Sequence, residues 1–198
     1  MNQDYILALQ RADLSEWLLH LTKGNEDEAY LDLLSILNSF KINSSKHYQI
    51  TNFDPEGATC FYDVPLGSLK QLIDTNPNKR KGFGIIVAKR IFWYLGGRPV
   101  IYTDSVGLNW PLTEKYRLVN TNLDSIPPID WSHEREWRFK GDFYLYNEIL
   151  YNNSINWWWP CVENMDYAKD LLFKFQNINS IYIRELNQTI DRNFNVIS

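Results

Sequence analysis

Apolar positions in this chain come in short bursts separated by polar or turn-forming residues. The first, Glu16 to Thr22 (Glu-Trp-Leu-Leu-His-Leu-Thr), is a brief apolar run ending in polar residues and predicts a strand through about Leu21. Gly24 and Asn25 interrupt it, and Asn25 is a residue type that caps helices. Ala29, Leu33, Ile36, Leu37 and Phe40 then fall at helical spacing, which predicts a helix over 26–40 with its acids at the dipole-favoured N-terminal end. Residues 41–57, with Pro55 and Gly57, predict a loop.

The alternation continues downstream. Ala58 to Val64 predicts a strand ended by Pro65, and Leu66, Leu69, Leu72 and Ile73 predict a helix stopped by Asn76-Pro77-Asn78. Phe83 to Ala88 predicts a strand, Arg90 to Leu95 a short helix closed by Gly96-Gly97, and Pro99 to Thr103 a strand. Residues 104–128 predict irregular chain. Strands are expected over Trp131 to Phe139, Asp142 to Tyr146, Trp157 to Val162 and, last, Ser180 to Arg184. Residues 147–156 predict an Asn-rich loop, and Ala168, Leu171, Leu172 and Phe175 predict a helix over 166–175. Without repeat or linker, this succession predicts one α+β domain of short mixed strands and helices over residues 1–198.

Composition narrows the function classes. A net charge of −4 gives no global basic field for nucleic acid, although it leaves room for a local basic patch. Two cysteines, Cys60 and Cys161, supply neither a disulfide framework nor metal-ligand spacing. The N-terminal residues lack a signal-peptide pattern, and no apolar stretch reaches membrane-spanning length, so a soluble, cytoplasmic protein with reduced thiols is expected. Aromatic residues reach 15%, enough either to line a pocket for a flat ligand or to fill the core.

The most informative local feature is His133-Glu134-Arg135-Glu136-Trp137-Arg138-Phe139. In a strand, Glu134, Glu136 and Arg138 share one face, and Arg135, Trp137 and Phe139 the other. Two like charges so placed repel, which gives folding little reason to build the ladder. A site that must hold developing positive charge supplies a reason. A solvated face neutralised by Arg138 is the other explanation, and spacing alone favours it.

Three ordered segments carry a family resemblance: Leu18-Leu19-His20-Leu21-Thr22, Cys60-Phe61-Tyr62-Asp63-Val64-Pro65-Leu66 and Glu134-Arg135-Glu136-Trp137-Arg138. With Gly82-Phe83-Gly84-Ile85 and Arg98-Pro99-Val100-Ile101-Tyr102 between the last two, the order resembles the AbiGi-like abortive-infection proteins of bacterial phage defence, over roughly residues 17–140. It also resembles the catalytic core of ADP-ribosyltransferases, and His20, Thr22 and Asn25 are like the opening of DarT-type DNA ADP-ribosyltransferases. The Glu-x-Glu transferases usually open with Arg and carry a Ser-Thr-Ser triplet, and both are missing here.

The resemblance implies an ADP-ribosyltransferase-like fold and NAD as co-substrate. It implies that Glu136, with Glu134, is catalytic, and that His20, Thr22, Tyr62 and Arg138 bind NAD. A nucleic-acid or protein acceptor, and an antitoxin or chaperone partner, would follow. The chemistry suits the residues. A fixed carboxylate steadies the electron-poor ribose carbon formed when the nicotinamide bond breaks, a neutral His bridges a ribose diol, and a Tyr ring stacks on nicotinamide. For His20 a half-buried ring satisfied by backbone is the commoner situation, and for Tyr62 simple alternation with Phe61 between core and surface. Asp63 has the alternative of capping the following helix. His47 and His133 are weaker candidates.

Lys79-Arg80-Lys81 is the main basic cluster, a candidate for guiding a nucleic-acid acceptor or NAD phosphates, with a solvated loop as the plainer explanation. Trp157-Trp158-Trp159 offers either a base-stacking surface or core packing.

Overall fold

The computed structural model describes residues 15–46, 54–74, 80–104, 110–152 and 155–197. Its organising strand is β1 (Trp17–Lys23). Leu18 faces one apolar cluster, while Leu19 and Leu21 face another, so the strand is apolar on both sides and sits inside the sheet. It pairs antiparallel with β4 (Arg80–Ala88) from Trp17↔Ala88 to Leu21↔Gly84. On its other side it meets β3 (Ala58–Tyr62) at Leu19↔Tyr62.

The remaining strands are β2 (Lys41–Ile42), β5 (Arg98–Pro99), β6 (Ile101–Thr103), β7 (Leu118–Asn120), β8 (Glu136–Lys140), β9 (Phe143–Tyr144), β10 (Trp158–Val162), β11 (Ser180–Ile183) and β12 (Gln188–Asp191). Eight of the twelve form one mixed sheet in the order β12-β11-β10-β4-β1-β3-β8-β5, in which β10 and β11 run parallel. Two two-stranded sheets, β2-β9 and β6-β7, flank it.

The helices are α1 (Glu26–Ser39), α2 (Leu69–Asp74), α3 (Lys89–Tyr94), α4 (Glu148–Asn152) and α5 (Met165–Lys174). Ala29, Leu33 and Leu37 of α1, Phe92 of α3 and Ala168 and Leu171 of α5 pack into the larger cluster with Leu18, Phe61, Phe83 and Phe143. Leu69 and Ile73 of α2 cover the opposite face with Leu19, Leu21, Ile86 and Tyr182. The result is a single α+β domain with both faces of its sheet covered.

Local chemistry sets the ends of these elements. Asn25 caps α1: its side chain accepts from the Glu28 amide at 3.0 Å, and the Glu28 carboxylate accepts from the Asn25 amide at 2.9 Å. The register between β1 and β4 slips after Leu21↔Gly84 to Lys23↔Arg80, so residues 81–83 of β4 bulge opposite Thr22. The Thr22 hydroxyl ties the bulge down, sharing its proton between the Ala29 carbonyl (2.8 Å) and the Phe83 carbonyl (3.1 Å). Next to it, a Cβ on Gly84 would run into the His20 carbonyl oxygen, so only glycine permits this approach of backbones.

Several elements depart from expectation. The run Trp131 to Phe139 is a strand only from Glu136; Ser132–Glu134 is a 3-10 turn, and Arg135 adopts a left-handed conformation, φ 45°. The expected loop 41–57 contains β2, with 47–53, and so His47, outside the described residues. The expected irregular stretch contains β7, held by parallel pairing with β6. The Asn-rich loop contains α4. β12 follows the strand expected to be last, and its Gln-Thr-Ile-Asp sequence has a single apolar residue to announce it. Trp157, Trp158 and Trp159 pack against Phe143, Phe40 and Trp17 respectively.

Gly84→Ala is expected to destabilise the domain by about 1–3 kcal/mol through this forced overpacking, and Asn25→Ala by about 1 kcal/mol through loss of the cap. Urea unfolding measures both. A Gly84→Ala midpoint equal to wild type would show that the strands have room to spare.

Candidate functional site

Beyond Leu19↔Tyr62, β1 and β3 part. A side chain spans the gap: His20 Nδ1 lies 2.9 Å from the Cys60 carbonyl oxygen. That oxygen can only accept, so Nδ1 carries the proton, and Nε2 is the acceptor of the neutral ring. A cleft of about 520 Å³ opens here. His20, Thr22 and Lys23 of β1, Asp32 and Ser35 of α1, and Lys41 of β2 line one side; Cys60 and Tyr62 of β3, Glu136 and Arg138 of β8, and Glu134 and Trp131 before it line the other.

On the β8 side, alternation puts Glu136 and Arg138 toward the cleft, 8% and 6% exposed, and Trp137 and Phe139 against the larger core. Arg138 grips Glu136 with both ends of its fork, Nε to Oε1 and Nη2 to Oε2, each at 3.0 Å. Its Nη1 donates to the carbonyls of Tyr116 (2.9 Å) and Leu118 (3.1 Å). Four of the five guanidinium N–H groups are thus engaged by Glu136 and the two carbonyls, and the Cys60 side chain lies beside the guanidinium as well. Glu136 keeps lone pairs on both oxygens for a further donor. Its backbone amide donates to the Tyr102 hydroxyl at 3.2 Å.

Glu134 reaches the cleft by a different route from the one the spacing implied. The left-handed Arg135 breaks the strand period, so the pair is not a two-residue ladder on one strand face. Glu134 is half-buried, and both acids line the cleft from either side of the kink.

Tyr62 and Glu136 are direct antiparallel partners, as are Cys60 and Arg138. Tyr62, the partner of Leu19, and Glu136 share one face of the sheet, while His20, one residue on, turns toward Phe61; all three border the opening where β1 and β3 part. Tyr62 is buried on the cleft side and Phe61 in the larger core, so neither lies at the surface. Thr22 is a wall residue, its hydroxyl proton committed to two backbone carbonyls. Asp63 does not cap a helix: Pro65 occupies the N-cap of the next turn, and the Asp63 carboxylate meets Lys89 instead.

The basic cluster fares differently. Lys79 lies outside the described residues, Arg80 begins β4 as the backbone partner of Lys23, and Lys81, next in β4, does not line the cleft. Among the described residues, the cations that line it besides Arg138 are Lys23 and Lys41. Sequence reasoning missed both, along with Asp32, Ser35 and Cys60. The only signal for Lys23 was its place at the polar end of the first strand. For Asp32 and Ser35 it was a polar i, i+3 pair flanking the apolar stripe of α1.

Electrostatics separates the roles of these groups. Burial, and then the neighbouring Glu136 carboxylate, push the Cys60 thiol well up against the opposing pull of Arg138, which favours the protonated form. Burial also raises the Tyr102 hydroxyl. The Ser44 amide, and after it Lys41, hold the Asp142 carboxyl below its ordinary range. Among the described residues, no group of three or more His, Cys, Asp or Glu side chains could hold a metal ion, and no helix is long and apolar enough to cross a membrane. Comparison with protein-family models, curated proteins and solved structures finds no match for this chain.

Arg138→Met strips the buried Glu136 carboxylate of its partner and is expected to destabilise the fold by roughly 3–5 kcal/mol. Denaturant unfolding reads this, and a loss under about 1 kcal/mol would show the carboxylate to be well hydrated. Asp142, with its folded pKa depressed, contributes stability above its unfolded value near 4 and loses it as pH falls through the folded value. Because the pair is part-exposed, the contribution is below about 1 kcal/mol. Asp142→Asn should therefore lower the neutral plateau of a melting-temperature profile slightly, by no more than about 4 °C, and meet the wild-type curve at its acid end, so that the acid limb is flatter.

Proposed function

We propose that this protein is an NAD-dependent ADP-ribosyltransferase of an AbiGi-like phage-defence system, working on an ADP-ribosyltransferase-like fold. The observation that carries the reading is the convergence of His20, Tyr62 and Glu136, from three adjacent strands, on one cleft. Its volume of about 520 Å³ falls within the roughly 300–1,000 Å³ of small-molecule pockets. Charge along the cleft also fits a dinucleotide: Glu134 and Glu136 mark one wall, where a cationic pyridinium ring is favoured, and Lys23 and Lys41 line the other, where phosphates are.

In this reading the bond between the ribose carbon and the nicotinamide nitrogen breaks, and its electron pair leaves with nicotinamide. Glu136, preorganised by the Arg138 fork, faces the positive charge left on the ribose and accepts a hydrogen bond from the sugar. His20 holds the adjoining ribose diol through its acceptor nitrogen. The Tyr62 ring packs on the leaving group. An acceptor oxygen or nitrogen, from nucleic acid or protein, then bonds to the ribose carbon, and its proton passes to Glu134. Water in place of the acceptor gives NAD hydrolysis.

A second reading has one specific observation in its favour. Glu136 and Arg138 satisfy each other so fully that the pair serves equally as a buried structural clasp in a non-catalytic sensor or antitoxin module.

Incubation with radiolabelled NAD and cell extract separates these readings. Transfer of label to macromolecules is expected. Glu136→Gln should reduce nicotinamide release by about a hundred- to a thousand-fold, checked on samples shown to be folded. Lys23→Ala and Lys41→Ala should raise KM for NAD with kcat nearly constant, as loss of uniform binding does. Label appearing only as free ADP-ribose would make the protein a hydrolase. Absence of both nicotinamide release and calorimetric NAD binding would leave the non-catalytic module.

A further inference from the structure

Arg135 is the joint between the turn that carries Glu134 and the strand that carries Glu136. It sits at φ 45°, a conformation that non-glycine residues adopt only when the surroundings impose it. The turn's own bonds, Glu134 N–H to the Trp131 carbonyl and Arg135 N–H to the Ser132 carbonyl, close it from one side, and Asp63 meets it from the other. The Asp63 backbone amide donates to the Arg135 carbonyl at 3.1 Å, and its carboxylate faces the Arg135 guanidinium, Nη2 to Oδ2 3.8 Å. One Asp thus holds both the main chain and the side chain of the kinked residue.

Asp63 is itself fixed. It is 8% exposed, and Lys89, the first residue of α3, donates to its Oδ1 at 2.8 Å. Lys89 in turn lies 5.9 Å from the Trp137 ring centroid, on the far side of β8 from Glu136. Asp63 is not among the residues that line the cleft, and a surface ion pair alone would not call for so buried an acid.

We infer that Asp63 is a positioning residue: it latches Arg135 in the left-handed turn and so sets where Glu134 stands relative to Glu136. The effect on turnover rests on the proposed reading of the cleft; the effect on the turn does not. Without the latch the backbone of 131–136 relaxes toward a regular strand or an open loop, and in either case Glu134 leaves its place beside the cleft.

Hydrogen exchange and kinetics test this together on the full chain. Asp63→Asn should speed amide exchange across residues 131–136 while exchange in β1 and β4 stays at the wild-type rate. In the same variant, kcat for nicotinamide release from NAD should fall about ten-fold with KM little changed, the signature of misplaced groups rather than lost binding. Adding Arg135→Gly, which adopts positive φ without strain, should recover at least part of that rate and of the slow exchange. Unchanged exchange over 131–136 in Asp63→Asn, or no recovery in the double variant, would overturn the latch. A wild-type protein that releases no nicotinamide would overturn the proposed activity instead, and the exchange data would still decide the latch.

Discussion

A carboxylate withdrawn from water must be met by a cation whose own hydrogen bonds are complete, and most of the candidate site follows from that requirement. Glu136 is 8% exposed, and Arg138 closes on it with two parallel bonds while spending its remaining end on the carbonyls of Tyr116 and Leu118. Those carbonyls lie at the junction of a 3-10 turn and β7, so the pair fastens a small satellite sheet to the edge of the main one. The same contacts make the Glu136 side chain stiff. A group that meets developing charge without reorganising is more effective than a mobile one, so the stability device and the chemical device coincide.

The cleft exists because two central strands separate, and the residues around the parting have few substitutes. On the β1 side Gly84 lets β4 come close to His20, Thr22 pins the bulge, and the Asn25 cap starts α1 directly after the strand. This arrangement places a polar cavity beside an otherwise apolar sheet without leaving strand ends unpaired at random. It also explains why Lys23, beyond the bulge, faces the cleft while Lys81 in β4 does not line it.

Much of the architecture is legible from apolar spacing. The strands around Leu18, Phe61 and Ile85 and the helices with Leu33 and Leu171 are buried as their patterns imply, because a long apolar stripe has only the core to go to. The elements missed are those whose order comes from neighbours: β7 depends on β6, β2 on β9, and β12 on β11. At the site, Tyr62, Glu136 and Arg138 were legible because strand alternation governs them, whereas His20 reaches the cleft through the parting of β1 from β3. Glu134 was found for the wrong reason, since a left-handed residue cannot be read from an Arg codon in a charged run. Lys23 and Lys41 were missed because what unites them is a cavity wall formed by separate elements.

The His20 bridge has a bearing on acidity. Because Nδ1 already carries the proton that reaches the Cys60 carbonyl, taking up a second proton at Nε2 leaves that bridge in place. The tie between the two strands therefore does not depend on the ring's second nitrogen, and the crossing survives a change in what that nitrogen meets.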